Sequence, residues 1–253
     1  MGGRIDCYID IASFYSYLGF VYLVENLRTL ESHGVQVDSS YDAFRFHPIL
    51  LGGIMAKSGM EDTSSLLSGD LCKYCNNPPW FNKAKANYGT IEGRRVTAYF
   101  GKSEIQFPED LMPMSHTILP LRALHYIKAN YPREIYHAVW AHLFQRFWTP
   151  PNLNLTKVDV FTDVLAEFKE FTPEDCEKIL TATKSQEVKD ALTKATQSAI
   201  DKGAFGAPWL WVRNDKGEAE PFFGSDRFHF IFKHLGLPHQ DIALLPPGAT
   251  SKL

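Results

Sequence analysis

The chain has 253 residues, 45% hydrophobic and 22% charged, a composition that excludes a disordered polymer and supports a packed core. Its 26 Lys and Arg against 29 Asp and Glu leave a net charge of −3, without the basic surplus that nucleic-acid binding needs. No apolar run reaches the ~18 residues of a membrane span, the start lacks a secretory pattern, and four cysteines are too few for a disulfide scaffold, so a soluble intracellular protein is expected.

In chain order, Arg4 to Ile11 alternates, with Ile5, Cys7, Ile9 and Ile11 on one side and Asp6, Tyr8 and Asp10 on the other, which reads as a strand. Tyr15 to about Leu30 carries apolar residues at helical spacing (Leu18, Val21, Tyr22, Val24, Leu27), and Gly34 ends it. Val35 to Phe46 alternates again, so the chain opens as a strand, a helix and a strand. From Leu51 to Phe81 the pattern breaks down into Gly, Ser, Asn and Pro, a long loop with short helical pieces. His116 to Ile200 reads as helical throughout. One stripe holds Ile118, Leu121, Leu124 and Ile127, and a second, broader one holds Val139, Trp140, Leu143, Phe144, Phe147 and Trp148. Thr172-Pro173-Glu174-Asp175 is a helix start, with Thr as cap and acids beside the positive end of the dipole. The blocks Val158 to Phe168, Asp175 to Thr183 and Val188 to Ile200 complete the helical region. Trp209 to Val212 and Ala219 to Phe223 then flank a hairpin loop with Gly217, and Gly224-Ser225-Asp226-Arg227 opens a helix that runs to Leu235. This order predicts an α/β fold: a thioredoxin-like domain from residues 1–59 and 196–253, with an inserted loop and all-helical domain over 60–195.

Three places could carry chemistry. Ser13-Phe14-Tyr15-Ser16 stands where thioredoxin-like oxidoreductases carry Cys-x-x-Cys at a helix start. With serine at both cysteine positions the turn cannot exchange disulfides, but a hydroxyl and helix-start N–H groups can stabilise a thiolate that a substrate brings. Ser13 also reads as a plain helix cap. Gly203-Ala204-Phe205-Gly206-Ala207-Pro208 precedes a strand; a cis Pro208 would leave the Ala207 backbone unpaired for an extended peptide, whereas the simpler reading is an ordinary loop. Ser225-Asp226 at a helix start suits a carboxylate and an ammonium group, and equally a simple cap.

The combination resembles the kappa-class glutathione transferases, a family related to 2-hydroxychromene-2-carboxylate isomerases and DsbA-type proteins. The resemblance rests on Tyr8 to Phe20, Gly53-Ile54-Met55-Ala56-Lys57-Ser58-Gly59, Gly203 to Pro208, and Phe223-Gly224-Ser225-Asp226-Arg227. It implies a homodimer that binds glutathione as co-substrate, uses no metal, and acts on a small electrophile or a hydroperoxide in detoxification. Carried over by residue, it makes Ser13 the partner of the glutathione sulfur and places Ala207, before Pro208, on the cysteinyl backbone. Ser225 and Asp226 match the γ-glutamyl site, and Lys85, with Lys83 as fallback, matches a lysine for the glycine carboxylate. The chain departs from the family at Phe14, where proline is frequent, and at Met60, where asparagine is frequent.

Other readings stand beside the transferase. One is a glutathione-dependent isomerase of the 2-hydroxychromene-2-carboxylate type, and another is a non-catalytic glutathione-binding or chaperone-like protein. A third is disulfide exchange through Cys72 and Cys75, a lone CxxC that also reads as surface loop. Cys7 is expected in the core, Cys176 on a helix surface, and the aromatics of the second stripe in the core. Ser251-Lys252-Leu253 at the end is a receptor-read peroxisomal address, which implies an import receptor as partner and the peroxisome as destination, with the cytoplasm as a second compartment.

Overall fold

Strand β1 (Arg4–Ile9) lies inside a four-stranded sheet with β2 (Arg45–Pro48), β3 (Trp209–Arg213) and β4 (Ala219–Phe223), in the order β2-β1-β3-β4. The computed structural model describes residues 2–35, 45–57 and 83–240, and of Arg45, Lys85 and Ala86 the backbone alone. β1 runs parallel to β2 and antiparallel to β3, placing Cys7 opposite both Phe46 and Leu210. β4 closes an antiparallel hairpin with β3. Pro48 and Pro221 sit in the two outer strands, where a missing N–H is tolerated. In the hairpin loop Gly217 has φ +84°, and the Asn214 side-chain oxygen accepts from the N–H groups of Lys216 and Glu218.

The period-two pattern of β1 sorts its side chains between two layers. Ile5, Cys7 and Ile9 enter the large core, while Tyr8 joins Ile54, Ala199 and Trp209 in a smaller one. Because both faces are covered, even Asp6 is buried. Burial pushes its carboxyl up, but His47 and Arg4, at 3.1 and 2.6 Å, more than offset this and hold it below its ordinary value.

Helix α1 (Phe14–Glu25) follows β1 and ends sooner than its spacing predicts. The Asn26 amide donates to the Tyr22 carbonyl at 2.9 Å, a local bond that competes with helix continuation, and α2 (Leu27–Ser32) starts afresh. Gly34, at φ +68°, terminates it as expected. Of the second expected strand, only Arg45 and Phe46 fall among the described residues of β2; residues 36–44 lie outside them, as do 58–82, which include Cys72, Cys75 and the Ser58-Gly59-Met60 stretch. α3 (Leu51–Lys57) is one of the short helical pieces, and α4 (Lys83–Tyr99) is a long helix that the sequence pattern does not announce.

The helical region resolves into α5 (Leu111–Met114), α6 (Ile118–Asn130), α7 (Arg133–Trp148), α8 (Val158–Ala166), α9 (Pro173–Ala182) and α10 (Gln186–Asp201). Trp140, Phe144, Phe147 and Trp148 are fully buried core residues, with Tyr17 of α1 stacked on Phe144 at 4.9 Å between ring centres. Cys176 is a correction: it is 6% exposed, one turn before Ile179 on the buried stripe of α9. Cys7 is buried as expected.

α11 (Phe228–His234) is also shorter than expected. Its cap is Arg227, with no side-chain capping bond, so Ser225 and Asp226 precede the helix instead of capping it. Among the described residues no helix is long and apolar enough to cross a membrane, and no group of three or more His, Cys, Asp and Glu could hold a metal.

Candidate functional site

The turn after β1 is built around Asp10 and Ser13. Ser13 N–H donates to the Asp10 carbonyl at 3.1 Å, which closes the turn and starts α1 at Phe14. Ser13 Oγ then accepts from Ser16 N–H at 3.1 Å and donates to the Ala207 carbonyl at 2.9 Å. The capping reading of Ser13 is therefore correct. The same oxygen also bridges, across 194 residues of sequence, to the loop before β3.

In that loop Ala207–Pro208 is cis. The expectation of an unpaired Ala207 backbone needs correction, since its carbonyl is occupied by Ser13; its N–H makes no hydrogen bond among the described residues. Gly206 leaves room for the ring of Phe223, which would have to shift to accept a Cβ placed 2.8 Å from its edge. Ser225 lies beyond Gly224, whose φ of +93° favours glycine, and Gly224 N–H donates to the Pro208 carbonyl at 3.1 Å. Ser225 is buried; Asp226 is exposed and paired with the neighbouring Arg227. An incoming ammonium group at Asp226 must share the carboxylate with that guanidinium.

These residues line one cleft of about 1360 Å³, with Ser13, Ala207, Ser225 and Asp226 on a common wall. A site for one drug-sized ligand is typically 300–1,000 Å³, so the space suits a ligand and a second reactant together. Next to Ser13 the wall is aromatic. Phe14 packs on Phe107 and Trp148 with ring centres 4.8 and 5.7 Å apart, and Trp148 Nε1–H donates to the Ile11 carbonyl at 2.8 Å. Phe205 and Phe223, 4.6 Å apart, flank the Ala207 side. Phe14 is thus a wall residue.

Helix α4 supplies residues that sequence reading missed: Glu92, Arg95, Val96 and Tyr99 all line the cleft. Their spacing of three, four and seven is one helical face, the signal that could have located them. Glu92 accepts from Tyr88 at 3.0 Å and pairs with Arg95 at 3.3 Å. Tyr15 lies between the two walls: burial pushes its phenol up, and Glu92 and Asp226 push the same way, so it stays a neutral donor. Lys83 and Lys85 both belong to the first turn of α4; Lys83 is exposed, and only the backbone of Lys85 is described.

A sheet in this order, a helix-start serine facing a cis-proline loop, and a helical block between the two ends define a thioredoxin-like protein. A match over residues 4–236 covers most of the chain, which belongs to the DSBA-like thioredoxin domain family. Within it, the chain is similar to the glutathione S-transferase kappa 1 of Caenorhabditis elegans, 27% identical over 237 residues and 93% and 92% of the two chains. It is 24% identical to human glutathione S-transferase kappa 1, over 98% and 97% of the two chains. The expected kappa-class resemblance is thus borne out. Among solved structures, 2-hydroxychromene-2-carboxylate isomerase superposes with a TM-score of 0.65 at 17% identity, over 92% of this chain and 94% of its own. A probable DsbA oxidoreductase of Streptomyces coelicolor gives 0.60 at 14%, over 98% and 95%.

Proposed function

We propose that the chain is a glutathione transferase that holds glutathione along the Ser13–Ala207–Ser225 wall and keeps its sulfur anionic through Ser13. One observation carries this reading: a buried helix-cap serine whose hydroxyl donates to the carbonyl of Ala207, both residues lining a large cleft. A free thiol with pKa near 8.5 is only a few per cent ionised at pH 7. A thiolate within reach of Ser13 competes with the Ala207 carbonyl for that hydrogen and wins, because a charge-assisted hydrogen bond is roughly twice as strong as a neutral one. The first-turn N–H groups of α1 add the positive end of the helix dipole.

In the reaction, the thiol proton leaves to solvent and the thiolate attacks an electrophilic carbon. A C–S bond forms while the leaving group departs with its electron pair. With a hydroperoxide, the sulfur attacks the terminal oxygen, the O–O bond breaks to release an alcohol after protonation by solvent, and the resulting sulfenic acid is displaced by a second glutathione, giving the disulfide and water. We assign the cysteinyl backbone to the Ala207 N–H and the γ-glutamyl end to Ser225 and Asp226; the glycine carboxylate is assigned to Lys85, or Lys83, from the family resemblance alone. The protein contributes positioning and electrostatics, with no covalent enzyme intermediate. The aromatic wall beside Ser13 favours a flat aromatic electrophile, and it is also the observation that favours the second reading, glutathione-dependent isomerisation of an aromatic carboxylate.

The test is calorimetric binding of glutathione followed by turnover of an aryl halide and of an aromatic isomerase substrate in parallel. Binding with aryl-halide turnover supports the transferase, turnover of the isomerase substrate alone supports the second reading, and binding without either leaves a glutathione-binding protein. Two further parts of the reading lie outside the described residues or need a partner: import into peroxisomes through Ser251, Lys252 and Leu253, and a homodimer. A fluorescent fusion ending in these three residues should become punctate and lose that pattern when they are deleted; light scattering of the purified chain should give twice the protomer mass.

A further inference from the structure

Asp10 is wholly buried, three residues before Ser13, and the mechanism above does not use it. Its Oδ1 accepts from Ala12 N–H at 3.0 Å and from the Thr117 hydroxyl at 2.6 Å, and its Oδ2 accepts from Leu51 N–H at 2.7 Å. One carboxylate thus joins three separate stretches of the chain: the Ser13 turn and the first residue of α3, both of which line the cleft, and Thr117, the buried residue before α6. Leu51 and Met55 of α3 line the cleft, as does Ala12. The Asp10 carbonyl adds the bond to Ser13 N–H, so both the backbone and the side chain of this residue set where the serine stands.

We propose that Asp10 is a positioning residue for the thiol chemistry: its carboxylate anchors the Ser13 turn to α3 and Thr117 and so fixes where the serine hydroxyl meets the glutathione sulfur. The inference rests on the transferase reading and deepens it. A buried carboxylate is an expensive way to join three segments, since burial pushes its pKa up to about 6 in spite of the hydrogen bonds from Thr117, Leu51, Ala12 and Ile11 that favour the ion. Costs of this kind gather at functional sites. Every group facing the carboxylate is a donor: backbone N–H groups from its own turn and from α3, and a hydroxyl from the segment before α6. None of them titrates, and among the described residues no charged side chain contributes to the shift. His116, beside Thr117, is exposed. A protonated Asp10 would have to break one of these bonds to place its own hydrogen, which loosens the anchor.

Two effects of Asp10 on a nearby thiol have opposite signs, and this makes the idea testable. As a negative charge it opposes thiolate formation; as an anchor for Ser13 it promotes it. The experiment measures the pKa of glutathione bound to the intact protein from the ultraviolet absorbance of its thiolate across pH, in wild type, Asp10→Asn and Thr117→Val. It adds kcat and KM with an aryl halide, and far-ultraviolet circular dichroism to confirm folding. Positioning predicts that Asp10→Asn raises the thiol pKa by about one unit, which lowers the thiolate fraction about fivefold at a pH where the wild-type thiol is half ionised. It also predicts a kcat loss of similar size, with KM for glutathione within about threefold. Thr117→Val, which removes one of the donors and leaves the carboxylate, should shift both in the same direction by less, and it carries the test if Asp10→Asn fails to fold; Thr117→Ser should restore both. A thiol pKa that stays put or falls in the variants while it is lowered in wild type overturns this inference alone. A wild-type complex whose thiol ionises as in plain buffer overturns the transferase reading and the inference with it.

Discussion

At the scale of single residues, Ser13 uses one oxygen twice, accepting from Ser16 N–H as a helix cap and donating to Ala207 as a bridge between the two ends of the chain. Replacing it by alanine removes both bonds along with the proposed thiolate donor. The cap predicts a stability loss of about 1 kcal/mol. The donor predicts that aryl-halide conjugation falls tenfold or more at saturating glutathione, while calorimetric affinity for glutathione changes little. A variant that loses stability but keeps its rate would leave Ser13 as a cap only. The sequence made Ser13, Ala207, Ser225 and Asp226 legible because each sits in a short local pattern. The partners of Asp10 were not legible: Thr117 lies 107 residues away and Leu51 lies 41 away, and no spacing rule links a carboxylate to such distant donors. The pairing of Asp226 with Arg227 is a rotamer choice that sequence leaves open.

At the scale of elements, legibility followed how strongly each helix announces its ends. α9 carries a full capping box, in which Thr172 Oγ1 accepts from Asp175 N–H at 3.2 Å while Asp175 Oδ2 accepts from Thr172 N–H at 3.0 Å, with Pro173 in the first turn. Both bonds are exposed and neither touches the cleft. Thr172→Ala should therefore lower stability by about 1 kcal/mol, read as a shift of the urea midpoint at unchanged slope, with activity untouched. A change in slope would show that the cap organises more than its own helix. α4 gave no such signal. Its apolar residues are few and its cleft face mixes Glu92, Arg95 and Tyr99, so no apolar stripe announces it as a helix. α1 misled in the other direction, since the apolar pattern runs on through Val24 and Leu27 while the Asn26 amide ends the helix between them.

At the scale of the whole molecule, the helical layer and the sheet meet along a seam that holds two neutral histidines. His125 of α6 donates from Nε2 to the Pro48 carbonyl of β2 at 2.9 Å. His137 of α7 packs against Phe46 of β2 and Phe20 of α1, with ring centres 5.3 and 6.5 Å apart. Burial pulls His125 down from 6.5 to about 4, aided by Lys128 and His47; burial likewise pulls His137 to about 4, aided by Arg133 and Lys128. Between these limits the unfolded chain binds a proton at each histidine and the folded chain does not, so stability falls as pH drops from about 6.5 to about 4. Asp10 works the other way. From about 6 down to 3.8 the folded chain holds a proton that the unfolded one lacks, so acidification stabilises through this group. Two groups against one leave a net loss on the order of 1 kcal/mol per pH unit through the middle of the range. In His125→Gln the amide can still donate to Pro48, but the position no longer titrates, so His137 and Asp10 oppose each other one to one. Denaturant unfolding of wild type should thus weaken steadily from pH 6 to 4, and that of His125→Gln should stay nearly level. Parallel curves for the two proteins would place the acid sensitivity elsewhere than the seam between helices and sheet.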